Sequence, residues 1–519
     1  MDPMKIHNRR RFLLELQNSL RFACVLSAGT CAAVSCFPVG VQAQEANGLS
    51  KAGHFKAIEQ CDTAEGKPVA RKLAGNQLAG NQCDDANGSG GLGSGELGSG
   101  GVGPVACDGA AGASSGAAGA CDSLGASSGA PQEECVLFPS LAATRKEWEQ
   151  SGFVLQNNLT QFYFGNTSGG IERDFRYAGH GDYLANFDFG KLIGKQGAFL
   201  KLRAEHRFGE TINDATGVVL PPTIAGDLPV LDSTNIYLTN CLFTQALSES
   251  FVLFAGKLDT LDGDMNAFAH GRGIRQFSNG AFVANPIALR TIPYSTLGTG
   301  MAFLMEGEPW LIFNVLNATD TTRTVGLDQL FNDGVALATE MRIPTNFFGK
   351  PGHQLFAGTW NSREFTSLDQ DPRIIFPNVP IAKQSGSWSL YWNCDQYLVS
   401  DPSNPKRGWG YFGRAGIADE GTNPLGYFLS GGIGGSSPMQ SRQRDSFGVG
   451  YYYAATSNDI APFINTIFGG FADGQGVEMF YNIATSKRLT ITPDLQVLVP
   501  SREQIDPALL VGLRANYNF

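Results

Sequence analysis

The segment Leu509–Phe519 (LLVGLRANYNF) places large or apolar side chains at Leu509, Val511, Leu513, Ala515, Tyr517 and Phe519. Leu510, Gly512, Arg514, Asn516 and Asn518 fill the other phase. Period-two alternation predicts a β-strand with one greasy and one mostly wet face. A half-buried strand of a soluble sandwich alternates in the same way, but aromatics at the extreme end of the strand suit the membrane-water girdle of an outer-membrane barrel. After residue 43 there is no apolar run long enough for a membrane helix, which needs about 18 or more residues. If such a chain spans a bilayer, it must close a barrel so that every backbone group is paired inside the sheet. With 17% charged residues, Gly 65, Phe 35 and Tyr 14, the chain is far less apolar than a helical membrane protein and is rich in glycine and aromatics. A net charge of −10 with no basic stripe argues against nucleic acid as a partner.

The N-terminus carries an address. Lys5, Arg9, Arg10 and Arg11 precede a mostly apolar stretch from Phe22 to Val41, and Val41-Gln42-Ala43 supplies small residues for cleavage before Gln44. Residues 1–43 are therefore expected to be a secretory signal peptide. Arg9-Arg10-Arg11-Phe12-Leu13 resembles the twin-arginine motif, a route that does not suit a barrel, which must stay unfolded until it meets its membrane. Ala33-Val34-Ser35-Cys36 lacks the Leu of a lipoprotein box. Residues 44–135 are dominated towards their end by Gly, Ser and Ala, with no Lys or Arg between Lys72 and Arg145. Such a composition predicts a disordered, acidic periplasmic linker. Within it a Cys-Asp pair recurs at Cys61, Cys83, Cys107 and Cys121, and Cys135 closes the set. The spacings of 22, 24, 14 and 14 are too irregular for a solenoid repeat or a zinc site. Two readings stand: disulfide cross-linking to another subunit or a Cys-rich envelope partner, and local disulfides in a spacer. Cys241 and Cys394 are expected to be small apolar fillers of strands.

Residues 136–519 are expected to form the barrel. Short alternating segments bounded by turn residues run over 199–208, 251–259, 311–318, 337–343, 354–360, 388–399, 408–418, 447–453, 477–485 and 489–499. Sixteen strands at roughly 20 to 23 residues each fill the body, with long connections at 215–230 and 367–387. The fold class is thus all-β, a 16-stranded antiparallel transmembrane outer-membrane β-barrel preceded by a disordered Gly/Ser/Ala-rich extension. Four stretches carry a family resemblance: Trp388–Leu398 (WSLYWNCDQYL), Gly408–Pro424 (GWGYFGRAGIADEGTNP), Asp445–Tyr453 (DSFGVGYYY) and Glu478–Ser501 (EMFYNIATSKRLTITPDLQVLVPS). With Gly256-Lys257-Leu258-Asp259, Asn285-Pro286 and Phe331–Glu340 (FNDGVALATE), they are similar in order and spacing to the carbohydrate-selective porin (OprB) family. The resemblance implies a 16-stranded outer-membrane porin that passes sugars, from which the Cys-Asp linker departs.

Alternation assigns strand charges to a side. Along 199–208, Leu200, Leu202 and Phe208 fall on the lipid phase, while Lys201, Arg203, Glu205 and Arg207 fall on the lumen phase. A charge facing lipid at the midplane costs about 2 to 4 kcal/mol. Lys257 and Asp259 share a phase and are also expected to face the lumen, as are Arg414 and, on the inner phase of the 388–399 strand, Tyr391, Asp395 and Tyr397. Trp388 and Trp392 take the outer phase. A sugar presents paired hydroxyls and apolar C–H faces, so forked hydrogen bonders and aromatic rings are the residue types a selective channel needs. The plain alternative for each residue is a lumen charge that only keeps water in. Asp259, Asp262, Asp264 and Asn266 (DTLDGDMN) resemble part of a calcium loop but lack its downstream Glu, so a turn is expected. No catalytic residue, metal or cofactor is expected: Ser436 and Ser437 lack a nucleophile frame, and the six His are scattered. The expected function is diffusion of mono- or small oligosaccharides across the bacterial outer membrane. The alternatives are a general or other-solute porin and a structural barrel linking the envelope. Expected partners are sugar solutes, outer-membrane lipid and the barrel-assembly machinery, whose client signal a terminal Phe519 resembles. A homo-oligomer or a disulfide-linked envelope partner completes the set.

Overall fold

The computed structural model describes residues 139–371, 373, 378–402, 404–460 and 470–519. The expected signal peptide, the linker and Cys61, Cys83, Cys107, Cys121 and Cys135 lie outside the described residues. Helix α1 (Pro139–Ser151) leads into β1 (Phe153–Ser168), and fifteen further strands follow, each antiparallel to the next. They are β2 (Phe175–Asp188), β3 (Ala198–Gly209), β4 (Tyr237–Ala246), β5 (Phe251–Asp259), β6 (Ser295–Met305), β7 (Glu308–Asn317), β8 (Val335–Phe347) and β9 (Lys350–Thr366). Then come β10 (Lys383–Asp401), β11 (Asn404–Ala418), β12 (Leu425–Ser436), β13 (Ser446–Thr456), β14 (Gly474–Ala484), β15 (Leu489–Val499) and β16 (Ala508–Asn518). The last strand pairs with the first from Asn158↔Asn518 to Ser168↔Leu509, which closes the barrel and removes both sheet edges.

Side-chain exposure follows the period of two. On β16, Leu510, Gly512 and Arg514 are buried while Val511 and Leu513 are exposed on the outside. Phe519 is exposed and stacks on Tyr517 with ring centroids 5.8 Å apart. Trp388 and Trp360, paired across β10 and β9, both face outward. Short turns such as 306–307 and 348–349 join strands at one end, and long segments such as 210–236 and 260–294 join them at the other. In outer-membrane barrels these ends are periplasmic and extracellular respectively.

The interior departs from a water-filled tube. The segment 260–294, between β5 and β6, turns into the barrel and packs against its inner wall. Phe277 and Phe282 from this inward loop lie 4.5 Å apart by ring centroid and meet Phe412, Phe480 and Tyr452 of β11, β14 and β13. Glycine on the facing strand makes the approach possible: a Cβ at Gly450 would sit 2.6 Å from the Phe282 ring. Residues 224–230, between β3 and β4, are likewise buried inside. The barrel thus has an apolar core of its own, lying on the lumen side.

Candidate functional site

The β3 alternation carries the densest set of charges, and the structure places all four of them inside. Lys201, Arg203, Glu205 and Arg207 are buried, and each is opposite an inner residue of β2: Asn186, Leu184, Asp182 and His180 respectively. Isolated charges inside a barrel would demand water or partners. Here the inward loop brings the partners.

Arg203 donates through Nη1 to Asp259 Oδ2 at 2.9 Å and to Asp262 Oδ1 at 2.7 Å, and its Nε lies 3.2 Å from Asp182. Lys201 Nζ reaches Asp262 Oδ2 at 2.7 Å. From the loop itself, Arg272 makes ion pairs with Glu205 at 2.7 Å, Asp259 at 2.9 Å and Asp262 at 3.0 Å. Tyr294 and Thr239 donate hydroxyl protons to Glu205 Oε2, each at 2.5 Å, and His180 Nε2 lies 3.3 Å from the same carboxylate. Burial alone would raise the Asp262 carboxyl, but the charges of Arg203, Lys201 and Arg272 hold it well below the usual carboxylate range. Arg272 has a left-handed backbone, φ 55°, between Gly271 and Gly273, a conformation that a non-glycine residue keeps only when its surroundings over-determine it.

The loop is hooked to two further stretches of wall. Against β8, β10 and β11, Arg414 donates to Asp264 Oδ2 at 2.7 Å and to the carbonyls of Phe282 and Ala269 at 3.0 and 2.6 Å. Asn393 Nδ2 donates to Asp264 Oδ1 at 2.6 Å, and Glu340 accepts from the Asp264 amide and from the Tyr391 hydroxyl. Asn285 caps the short helical turn 286–290 with proline at its first position, while its own amide donates to Asp264. Against β14–β16, Glu478 accepts from the amides of Ser278 and Asn279, and Arg514 donates to the carbonyls of Gly273 and Gln276 and to Ser278 Oγ. Three sets of charged anchors therefore stretch one loop across the lumen. His270 in this loop is held neutral, its titration lowered to about 4 by burial and by the neighbouring Arg414, and its Nδ1 lies 3.1 Å from the Val283 carbonyl.

With this geometry in view, similarity to known proteins is informative. Residues 172–519 match the family model "Carbohydrate-selective porin, OprB family". This chain belongs to the OprB family of carbohydrate-selective porins. The OprB-family porin is a β-barrel channel of the outer membrane through which carbohydrates pass. Its fold is similar to the high-pH structure of Pseudomonas putida OprB, with a TM-score of 0.63 and 18% identity over 73% of this chain and 97% of that one. The Salmonella typhi OmpF complex with daunomycin scores 0.42 at 7% identity, over 71% of this chain and 98% of that one. The Acinetobacter baumannii channel DcaP also scores 0.42, at 10% identity over 71% and 97%. No curated protein matches the chain.

Several expected lumen residues of the porin occupy other roles. Lys257 stays outside the charged network. It pairs with Cys241 and shares the outer phase of exposed Leu253, and its ammonium is held by the carbonyls of Thr321 and Thr324 at 2.7 and 2.8 Å in the β7–β8 connection. Gly256, at φ +141°, precedes it where a Cβ would strike the Cys241 carbonyl. Asp259, two residues on, is the last residue of β5 and turns its carboxylate inward instead. Arg207 lies inside but clamps the 210–236 segment, donating to the carbonyls of Gly226, Gly209 and Leu231. Arg414 is an anchor of the inward loop rather than a side chain open to solute. Tyr391, Asp395 and Tyr397 take the inner phase as expected, with Tyr397 edge-on to Phe268 of the loop at 4.7 Å. Asp395 lies 2.8 Å from His353 and 3.8 Å from Arg342, whose side chains are 27% and 19% exposed to the lumen. Arg272, Asp262, Asp182, Tyr294, Arg342 and His353 were not singled out as lumen residues by alternation. For the loop residues no strand phase exists to read, and DTLDGDMN signalled only a turn. Among the described residues no cluster of metal-ligating side chains is present.

Proposed function

We propose that mono- and small oligosaccharides are sorted where the inward loop crosses β2 and β3, at the lumen-facing edge of the Arg203–Asp262–Arg272 network. The observation that carries this reading is the sharing of each guanidinium between two or more carboxylates. Fixed donors and acceptors side by side match the vicinal hydroxyls of a pyranose, and near-balance of charge keeps ions from dominating the site. In liposome-swelling assays glucose and maltose are expected to enter faster than amino acids of equal size. Equal rates at equal size would sink sugar sorting in favour of simple sieving.

The same reading makes residues 44–135 a periplasmic spacer, because α1 enters β1 at the short-turn end, where Trp148 and Phe153 lie 5.5 Å apart by ring centroid. It also makes the barrel a client of the assembly machinery, with Phe519 on the outer face. Deleting residues 50–135 is expected to leave an assembled, conducting barrel and to abolish any disulfide-linked ladder on non-reducing gels. A deleted chain that fails to assemble overturns the spacer role, and a ladder that survives the deletion rules out its cysteines as the cross-linking sites.

A further inference from the structure

Arg203, Arg272, Arg414 and Arg514 are buried, and their guanidiniums are committed to carboxylates and loop carbonyls. Arg342 is not. It lies on β8 towards the 348–349 turn, on the phase of inward-facing Glu340 and opposite to exposed Ile343. Its ion pair is a long one, 3.8 Å from Nη2 to Asp395 Oδ2, and it makes no hydrogen bond among the described residues. Nε is buried, but the two terminal amino groups are not, and with the side chain 19% exposed they open on the lumen.

The same carboxylate orients a second side chain. His353 is paired with Asp395 across β9 and β10, and its Nδ1 lies 2.8 Å from Asp395 Oδ1. A carboxylate oxygen accepts there, so the neutral ring carries its proton on Nδ1 and presents Nε2 as a bare acceptor. No described residue takes that nitrogen, and the side chain is 27% exposed. Tyr397, half-buried on the inner phase of β10, sets its ring edge-on to Phe268 of the inward loop at 4.7 Å, and the Ala267 amide lies 3.4 Å from Asp395 Oδ2. The patch therefore lies against the loop, at the end of the barrel where the strands are joined by short turns.

A forked donor, a bare acceptor and an aromatic face in one patch are the groups that a pyranose needs. The guanidinium takes two vicinal hydroxyl oxygens, Nε2 accepts a hydroxyl proton, and the ring covers apolar C–H groups. We propose that Arg342, His353 and Tyr397 form a second sugar site on the short-turn side of the inward loop, where a neutral sugar that has passed the loop is held before release. Asp395 is buried and is a positioning residue for the other two. The assignment rests on the carbohydrate-channel reading and adds a station on the far side of the loop.

Single-channel recordings of the full-length protein in phosphatidylcholine bilayers test it, with glucose or maltose added at the short-turn side alone or at the long-loop side alone. From the short-turn side, Arg342→Gln is expected to need about tenfold more sugar for the same block, the equivalent of one charge-assisted hydrogen bond. His353→Phe keeps a ring, loses the acceptor and is expected to weaken that block severalfold. Block from the long-loop side, where sugar meets the loop first, should keep its original concentration dependence in both variants. Arg342→Lys retains the charge without the fork and is expected to behave like Arg342→Gln. In the unaltered protein, glucose at the short-turn side is expected to block at lower concentration than triethylene glycol, a solute of similar size without paired ring hydroxyls, a readout that needs no variant to fold. If Arg342→Lys blocks like its parent, the arginine is a point charge in a wet lumen and the second site is overturned; triethylene glycol matching glucose overturns it as well. Block from the long-loop side with none from the short-turn side overturns the second site and leaves the sugar channel intact, whereas block by no sugar from either side overturns both.

Discussion

Arg414→Met is expected to release the inward loop and raise single-channel conductance severalfold. The guanidinium is buried and holds both the Asp264 carboxylate and two loop carbonyls, so its removal leaves a buried charge facing an apolar side chain. Breaking such a pair from one side costs about 3 to 5 kcal/mol, and the cost falls on the seating of the loop, because the hydrogen-bonded ladder of the wall keeps all its bonds. The stretch 264–270 should therefore leave its seat rather than the barrel unfold. Asp264→Asn in the same chain keeps an acceptor for the Asn285 amide without the stranded charge and should bring the conductance back towards its original value. An Arg414→Met channel that is heat-modifiable like its parent and conducts identically would show that the other two anchors suffice.

The second large effect concerns selectivity. Leaving His180 aside, the charged network where the inward loop meets β2 and β3 holds three cations, Lys201, Arg203 and Arg272, against four carboxylates, Asp182, Glu205, Asp259 and Asp262. Arg203→Ala leaves two against four, and removes the residue that ties three of those acids together. The channel is expected to move towards cation preference, read as a shift in reversal potential. Sugar block should weaken in the same channel by roughly one to two powers of ten, since a charge-assisted hydrogen bond is worth about 1.5 to 3 kcal/mol. If the reversal potential moves and sugar still blocks at the original concentration, Arg203 sets only the field of the pore and the sorting lies elsewhere.

How much of this was open to reading depended on periodicity. On β3 and β16 nothing interrupts a period of two, so inner and outer faces could be assigned residue by residue, and the structure agrees at Arg203, Glu205 and Arg514. β5 runs over the expected bounds, but phase alone does not show that the Lys257 ammonium is taken up by carbonyls of the β7–β8 connection. Strands β1, β2, β6 and β12 carry no clean alternation for local reasons: FVLQNNLTQFYFGNTS puts polar residues on both phases, and LGYFLSGGIGGS offers glycine where a pattern would need side chains. The inward loop was illegible for a deeper reason. Its partners are scattered from Arg203 to Arg514, and only closure of the barrel brings them within reach of one loop, so no window of sequence contains the interaction.

That scatter links the aperture to the order of assembly. Gly273, Gln276 and Ser278 are held by Arg514, which belongs to β16, the strand that zips the cylinder shut against β1. Glu478 of β14 grips the same stretch, so this mooring is complete only once the penultimate strands and the closing strand are all in place. The act that seals the wall therefore also completes the seat of the loop that crosses its interior.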